Sequence, residues 1–191
     1  MPSVSTVSPD APALLGQLSD SHLFAEADGT LLGMNTRDSL QRVIELVRAQ
    51  QPRIDLLLAT GDISQDGTLE SYQQFRDMTA LIGAPTRWIP GNHDEPQIMA
   101  HAAVHSDLLE PVVDIGHWRV TLLDSAVPGS VPGYLQDSQL QLLAQALSKR
   151  RIVTIWCAST IIRCPSVAPG WNPLACATRR PCLRCSTVSR R

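Results

Sequence analysis

The sequence predicts an α/β fold in which helices cover a sheet of largely parallel strands. Short apolar segments alternate with longer segments whose apolar residues recur every three or four positions, as expected for strands and amphipathic helices. Polar clusters follow three of the short segments, which is typical of strands that end at a ligand-binding edge. The composition agrees, because 191 residues with 43% hydrophobic and 18% charged side chains can fill one domain core.

Three strands are predicted in the first half of the chain. They are the apolar segments that end at polar or glycine-containing turns, over residues 13–19, 54–60 and 86–89. A loop over residues 23–34, which contains Asp28-Gly29, follows the first strand.

Two amphipathic helices connect these strands. The first runs from about Asn35 to Gln50 and can be capped by Asn35 or Thr36; its apolar stripe consists of Leu40, Val43, Ile44 and Val47. The second runs from Thr68 to Ile82 and ends at Gly83; one face carries Tyr72, Phe75, Met78, Thr79 and Ile82.

A short helix, a strand pair and a further helix complete the predicted elements. The strand pair covers residues 112–117 and 119–123, and the helix covers residues 136–149 with Leu140, Leu143 and Leu147. The alternation of strands and helices predicts right-handed crossovers in a layered fold. The chain has no run of 18 apolar residues and its N-terminus lacks a basic start, so we expect a cytoplasmic protein without a membrane span.

Polar side chains that can bind a metal follow each of the three predicted parallel strands. The clusters are Asp20-Ser21-His22, Gly61-Asp62 and Gly91-Asn92-His93-Asp94. Their spacings of roughly 40 and 30 residues each fit one strand–helix unit, so we expect them at one edge of the sheet. Each cluster alone is more often a turn or a helix cap. Together they favour a two-metal centre, because carboxylate, imidazole and amide ligands suit Mn²⁺, Fe or Zn²⁺.

These motifs resemble the signature of the calcineurin-like metallophosphoesterases, D-x-H, then G-D, then G-N-H-D/E. Residues 17–24, 28–36 and 61–67 are further similar to bacterial class III cyclic-nucleotide phosphodiesterases, and the resemblance covers about residues 12–149. It implies a four-layer αββα fold, a β-sandwich flanked by helices, that is incomplete at the C-terminus. It also implies hydrolysis of 3′,5′-cyclic AMP to 5′-AMP at two divalent ions, with Fe or Mn expected and Zn as the alternative.

The resemblance also implies roles for individual residues. Asp20 and His22 would bind the first metal ion, Asp62 would bridge both ions, and Asn92 would bind the second. His93 would lie beside the substrate and assist the leaving oxygen, with His22 and Asn92 also contacting substrate. Asp94 would orient His93 by a hydrogen bond.

The later metal ligands of the family are missing from this sequence. The family has a His after the next strand and a late G-H-x-H motif, whereas the remaining histidines here are His101, His105 and His117. His117 is predicted in a hairpin; His101 and His105 are predicted on or beside the short helix, where they could face the substrate. We therefore expect weak or absent activity and marginal folding of this chain.

A sharp change in composition begins where the next strand is expected. Residues 1–149 hold 8 basic and 18 acidic residues, a net charge of −10, whereas residues 150–191 hold 8 Arg, no acidic residue and all five Cys, a net charge of +8. Trp156-Cys157 requires the codons TGG TGY, and a frame that starts at the last base of TGG begins with Val and permits the family's His-His-His-Pro motif. The sequence therefore predicts a frameshift near Arg150–Arg151. The expected domains are a disordered N-terminus (1–11), a metallophosphoesterase part (12–150) and an out-of-frame tail (151–191).

Other interpretations of the tail and of the function stay open. Cys176, Cys182 and Cys185 could form a zinc knuckle and the Arg-rich tail could bind nucleic acid, but the Cys spacing and the lack of interleaved aromatic residues favour neither. We expect a small cyclic nucleotide as the partner, and neither nucleic acid nor a membrane. The alternative functions are a general phosphodiesterase, a nucleotide pyrophosphatase and a non-catalytic binding module.

Overall fold

The computed structural model describes residues 12–51 and 53–148, together with the backbone of residues 154–159. Within these residues the elements in chain order are β1 (Leu15–Leu18), β2 (Thr30–Leu31), β3 (Met34–Asn35), α1 (Thr36–Gln50), β4 (Leu56–Thr60), α2 (Leu69–Ala80), β5 (Thr86–Ile89), α3 (Pro96–Ala102), β6 (Val112–Ile115), β7 (Trp118–Leu123), α4 (Asp137–Ser148) and β8 (Thr154–Ser159).

The three strands predicted as parallel form one sheet in the order β1-β4-β5. Leu18 pairs with Ala59, and Thr60 pairs with Ile89, so the three carboxyl ends lie at one edge of the sheet. The prediction of the sheet and of its edge is confirmed.

Both crossover helices begin after a polar residue that caps them. Asn35 Oδ1 accepts a hydrogen bond from the Asp38 amide at 2.8 Å, so Asn35 is the cap of α1. Thr68 Oγ1 accepts one from the Ser71 amide at 3.3 Å at the start of α2. These bonds pair amides that a helix start leaves without a partner.

The helices and sheets stack in four layers, α-β-β-α, as the resemblance implies. One face of the first sheet packs on α1, α2 and α3 through Ala59, Ile44, Phe75, Trp88 and Met99. Its other face packs on the β6-β7-β8 sheet through Leu56, Leu58, Ile89, Ile115, Val120 and Leu122. α4 covers the far face of that second sheet, where Leu123 and Leu135 are buried. Since alternate residues of β4 face two different cores, the whole strand is buried.

Three features differ from the sequence prediction. Residues 30–35, predicted mostly as loop, form the hairpin β2-β3, which turns at Leu32 and Gly33 with φ of 51° and 80°. Val43 is 40% exposed, because the buried stripe of α1 is narrower than predicted and centres on Leu40 and Ile44. Thr154–Ser159, in the predicted tail, pairs with β7 as the parallel strand β8. Thr154, Ile155 and Trp156 are residue types that favour strands, and β7 and β8 are joined by a crossover that contains α4.

Several sequence predictions lie outside the described residues. They concern the N-terminal segment 1–11 and residues 160–191, which hold Cys164, Cys176, Cys182 and Cys185. In the part of the chain that the structure describes, no helix has the length and apolar character needed to cross a bilayer. The cytoplasmic location stays a prediction.

Candidate metal centre

The polar clusters that follow β1, β4 and β5 meet at the carboxyl edge of the first sheet. Beyond the strand ends, the Asp20 amide donates to the Gly61 carbonyl at 3.1 Å and the His22 amide donates to the Asp62 carbonyl at 2.9 Å. The loop after β5 joins them through the His93 amide, which donates to Asp62 Oδ1 at 3.1 Å. The structure therefore brings the three predicted clusters together.

Three residues of these clusters have left-handed backbone conformations. The φ angle is 57° at Asp20, 44° at His22 and 51° at Asp62. Such conformations cost about 1–3 kcal/mol each for residues other than glycine, and they persist where the surrounding structure holds them. Their concentration at one place is typical of a functional site, since ordinary turns at these positions would use glycine or asparagine.

One side chain from each cluster belongs to a compact group with metal-binding atoms. His22, Asp62 and His93 each offer a ligand atom within 4.8 Å of the other two. Nε2 of His22 lies 3.9 Å from Oδ2 of Asp62 and 3.9 Å from Oδ1 of Asp20. The rings of His22 and His93 meet edge to face with their centroids 5.1 Å apart. Asp62 is buried and His93 is exposed, so the group is open to solvent on the His93 side.

The donor set and an unpaired atom both fit a divalent cation. The separation of 3.9 Å between His22 Nε2 and each carboxylate oxygen is too long for a hydrogen bond. It suits two ligands of one ion, each about 2.0–2.2 Å from the metal. Nδ1 of His22 is buried and has no hydrogen-bond partner among the described residues. A buried polar atom without a partner is costly, so the unpaired Nδ1 is a second indication, beside the spacing at Nε2, that this histidine lies in a site that binds a ligand.

Gly91 allows the loop after β5 to approach Asp62 closely. A Cβ added at Gly91 would overlap the amide nitrogen and the carboxylate of Asp62, with Cγ only 2.8 Å away. Asn92 follows as a half-buried residue on the same loop, and His93 then donates its amide to Asp62. The glycine of this cluster is therefore required by the short distance between two loops.

Asp94 makes no hydrogen bond with the His93 ring among the described residues, and the orienting role that the resemblance implies for it stays a prediction. Both oxygens of its buried carboxylate accept hydrogen bonds from other groups. Oδ2 accepts from the amides of Gly91 (2.7 Å) and Ile63 (3.2 Å), and Oδ1 accepts from the Ser64 amide (3.0 Å) and the Tyr72 hydroxyl (3.1 Å). Asp94 therefore ties the loop after β5 to the loop after β4.

Burial changes the proton affinity of both partners in this contact. Burial raises the pKa of the Asp94 carboxyl, and the hydrogen bonds from the Gly91 and Ser64 amides offset part of that rise. Burial, followed by the nearby charge of Asp94, raises the pKa of Tyr72 well above its ordinary range. The Tyr72 hydroxyl consequently keeps its proton and donates to Asp94.

Sequence reasoning misses two residues of this network. Gln65 Nε2 lies 3.3 Å from His93 Nδ1, within hydrogen-bond distance. A polar side chain in a loop carries no sign of its partner, so no pattern would have identified Gln65. Tyr72 is predicted only as a core residue of α2, although a buried tyrosine usually needs a partner for its hydroxyl. That requirement is the signal that would have found it.

The remaining histidines lie where the sequence predicts, outside the metal-binding group found among the described residues. His101 is on α3 and His105 follows it with φ of 62°, and both are exposed. His117 is at the turn between β6 and β7. A substrate-facing role for His101 and His105 stays a prediction.

Several known proteins are similar to this chain. It is 59% identical to the 3′,5′-cyclic adenosine monophosphate phosphodiesterase CpdA of Pseudomonas aeruginosa over an alignment of 143 residues. This alignment covers 75% of this chain and 53% of the relative. It is 42% identical to the protein of the same name from Escherichia coli (strain K12) over an alignment of 135 residues. This alignment covers 69% of this chain and 49% of that relative. A purple acid phosphatase from yellow lupin seeds superposes with a TM-score of 0.46 and 16% identity, over 75% of this chain and 29% of that one.

The described site lies within the segment that carries these similarities. The chain spans about half the length of the curated relatives it matches. The calcineurin-like phosphoesterase family matches residues 14–144. This range contains the three clusters and the strands β1 to β7. The chain belongs to the calcineurin-like phosphoesterase family.

Proposed function

We propose that this chain is a metal-dependent phosphodiesterase that hydrolyses 3′,5′-cyclic AMP to 5′-AMP. The observation that carries the proposal is the group of His22, Asp62 and His93 at the carboxyl ends of three parallel strands. Ligands of open α/β sheets bind at this edge. The names of the relatives from Pseudomonas aeruginosa and Escherichia coli support the choice of substrate.

The proposed metal centre uses the residues that converge at this edge. Asp20 and His22 are assigned to one divalent ion, Asp62 to both ions and Asn92 to the second. Fe or Mn is the expected metal and Zn the alternative, because oxygen and imidazole ligands suit all three. When bound, such ions polarise a phosphoryl oxygen and lower the pKa of bound water.

The chain's own residues prepare the site for this reaction. The Asp62 carboxylate is fixed by the His93 amide at one oxygen, which leaves the other oxygen facing His22. With Nδ1 accepting a hydrogen bond from Gln65, a neutral His93 carries its proton on Nε2. That nitrogen can donate the proton to the leaving 3′ oxygen of the nucleotide.

The proposal includes a low turnover for this chain. Its five histidines are His22, His93, His101, His105 and His117, and the further His ligands that the resemblance implies have no counterpart among them. Ions held by fewer ligands bind more weakly and are less well oriented. We therefore expect metal-dependent hydrolysis below about one turnover per second, at the lower end of common enzyme rates.

Cyclic AMP hydrolysis by the purified chain tests the proposal. The chain is incubated with cyclic AMP and Mn²⁺, 5′-AMP is measured by chromatography, and bound metal is measured by mass spectrometry. We expect slow, Mn²⁺-dependent formation of 5′-AMP that the Asp62→Asn variant loses. Faster hydrolysis of bis(p-nitrophenyl) phosphate than of cyclic AMP would indicate a general phosphodiesterase. A chain that binds neither Mn²⁺ nor cyclic AMP would contradict the proposal.

A further inference from the structure

On the buried side of the site, hydrogen bonds of Tyr72 connect helix α2 to the loop after β5, one of the loops that hold the metal-binding group. Tyr72 is fully buried on α2, and its hydroxyl donates to Asp94 Oδ1 at 3.1 Å. The same hydroxyl accepts a hydrogen bond from the Glu95 amide at 2.8 Å. Both hydrogen-bonding directions of the Tyr72 oxygen are therefore used by the loop after β5.

The partners of Asp94 lie beside the proposed metal ligands along the chain. Ile63 directly follows Asp62, and Gly91 directly precedes Asn92; both donate their amides to the Asp94 carboxylate. Movement of that carboxylate would therefore displace the backbone on either side of the site. Asp94 has four donors, and Tyr72 is the one that comes from a helix of the core.

A second contact attaches the same turn of α2 to the loop after β4. Ser71 precedes Tyr72, and its hydroxyl lies 2.6 Å from the hydroxyl of Ser64. Ser64 also donates its amide to Asp94. Adjacent residues of one helix thus hold two loops whose relative position sets the distance between Asp62 and His93.

We propose that Tyr72 is a positioning residue of the metal centre, which acts through Asp94 to hold Asp62 against the loop that carries Asn92 and His93. The inference rests on the proposed function and assigns a further residue to its site. Tyr72 does not touch the metal-binding group, so its effect is transmitted by the two loops. Groups that hydrogen-bond a metal ligand directly change metal affinity by about 10–100-fold, so a residue that acts through Asp94 is expected at the lower end of that range.

The Tyr72→Phe variant tests this role because it removes one oxygen atom and keeps the ring that packs in the core. The chain has only two tyrosines, and Tyr134, which is 49% exposed, provides the matched control as Tyr134→Phe. Affinity for Mn²⁺ is measured by electron paramagnetic resonance titration. We expect about tenfold weaker binding in Tyr72→Phe and unchanged binding in Tyr134→Phe.

Amide hydrogen exchange in the metal-free chain gives a readout that does not depend on metal or on activity. We expect the amides of Ile63, Ser64, Gly91 and Glu95 to be protected in the unchanged protein. Tyr72→Phe should raise their exchange rates about tenfold and leave those of β4 unchanged. Free exchange of these four amides in the unchanged protein would overturn the proposal even if the variant does not fold.

A double-mutant cycle with Asp94→Asn separates action through Asp94 from a general loss of stability. If Tyr72 acts through Asp94, Tyr72→Phe should weaken Mn²⁺ binding much less in the Asp94→Asn background. Equal losses in both backgrounds, or unchanged affinity and exchange in Tyr72→Phe, would overturn the proposal. Failure of the proposed function is distinguishable: the unchanged chain would then bind no Mn²⁺, while the exchange result would still report whether Tyr72 holds the loops.

Discussion

Replacement of Gly91 by alanine should disturb the metal centre more than it disturbs the rest of the fold. The added Cβ overlaps the Asp62 amide and carboxylate, with Cγ at 2.8 Å, so one of the two loops must move. A shift of that kind stretches the hydrogen bond from the His93 amide to Asp62 Oδ1, which is 3.1 Å long. Asp62 would then no longer face His22 at the spacing that the structure shows.

The energetic cost of Gly91→Ala can be estimated from these contacts. Forcing an extra carbon into a packed region costs about 1–3 kcal/mol, and the weakened hydrogen bond adds about 1 kcal/mol. For a chain of this size, each kcal/mol lowers the thermal midpoint by about 2–4 °C. We therefore expect Gly91→Ala to unfold about 4–16 °C lower and to bind Mn²⁺ at least about tenfold more weakly.

Gly83→Ala is the matched control for this variant. Gly83 has φ of 76° and no atom within 4 Å of an added Cβ, so alanine there adds backbone strain without overlap. That strain costs about 1–2 kcal/mol, which should lower the thermal midpoint but leave Mn²⁺ affinity unchanged. Differential scanning calorimetry and Mn²⁺ titration measure both effects. If Gly91→Ala keeps the midpoint and affinity of the unchanged chain, the close approach of the two loops is refuted.

Three further predictions concern charge. Asp62→Asn should keep the fold, since asparagine tolerates the φ of 51° at this position, yet weaken Mn²⁺ binding about 100-fold. Burial raises the pKa of Asp66, but hydrogen bonds from the Ala25 amide and from Thr68 together lower it below the ordinary value of 3.8. The ionised Asp66 therefore stabilises the folded chain above pH 3.8, and this stabilisation is lost as the pH falls through the pKa of the folded state. Asp66→Asn should abolish this loss. Arg119→Met should lower the free energy of unfolding by about 2 kcal/mol, because it breaks the paired contact with Asp114 at 2.7 Å.

Each of these variants has its own measurement and contrary result. For Asp62→Asn, an unchanged Mn²⁺ isotherm would remove Asp62 from the site; Asp77→Asn, at an exposed carboxylate on α2, is the control. For Asp66→Asn, the free energy of unfolding is measured by denaturant titration between about pH 5 and pH 2, and an equal fall with pH in the variant and the unchanged chain would contradict the prediction. For Arg119→Met, urea unfolding gives the free energy of unfolding, and Arg42→Met, at an exposed position of α1, should change that free energy little.

Local patterns sufficed for most of the fold. The cap Asn35 forms as predicted because capping depends on a side chain and on amides two or three residues away, whereas Thr68, predicted as the first residue of α2, is its cap. The burial of β4 follows from its apolar sequence, which suits a strand covered on both faces. The hairpin β2-β3 was missed because Leu32, unlike glycine or asparagine, gives no sign of a left-handed turn.

The sequence also determined which clusters would meet, because strand–helix–strand spacing places successive carboxyl ends at one edge of a parallel sheet. It did not determine the partners of Asp94 and His93. The resemblance implies a hydrogen bond between the neighbours Asp94 and His93. In the structure, Asp94 instead bonds Tyr72, 22 residues away, and His93 bonds Gln65, 28 residues away.

By itself, the sequence determined the layered α/β fold and the three clusters Asp20-Ser21-His22, Gly61-Asp62 and Gly91-Asn92-His93-Asp94 at one edge of its first sheet. Only the tertiary structure decided that Tyr72 and Gln65 belong to the network around them. The physical reason is that periodicity and capping are local, while the hydrogen bonds of a buried carboxylate depend on which distant backbone amides the packed loops bring to it.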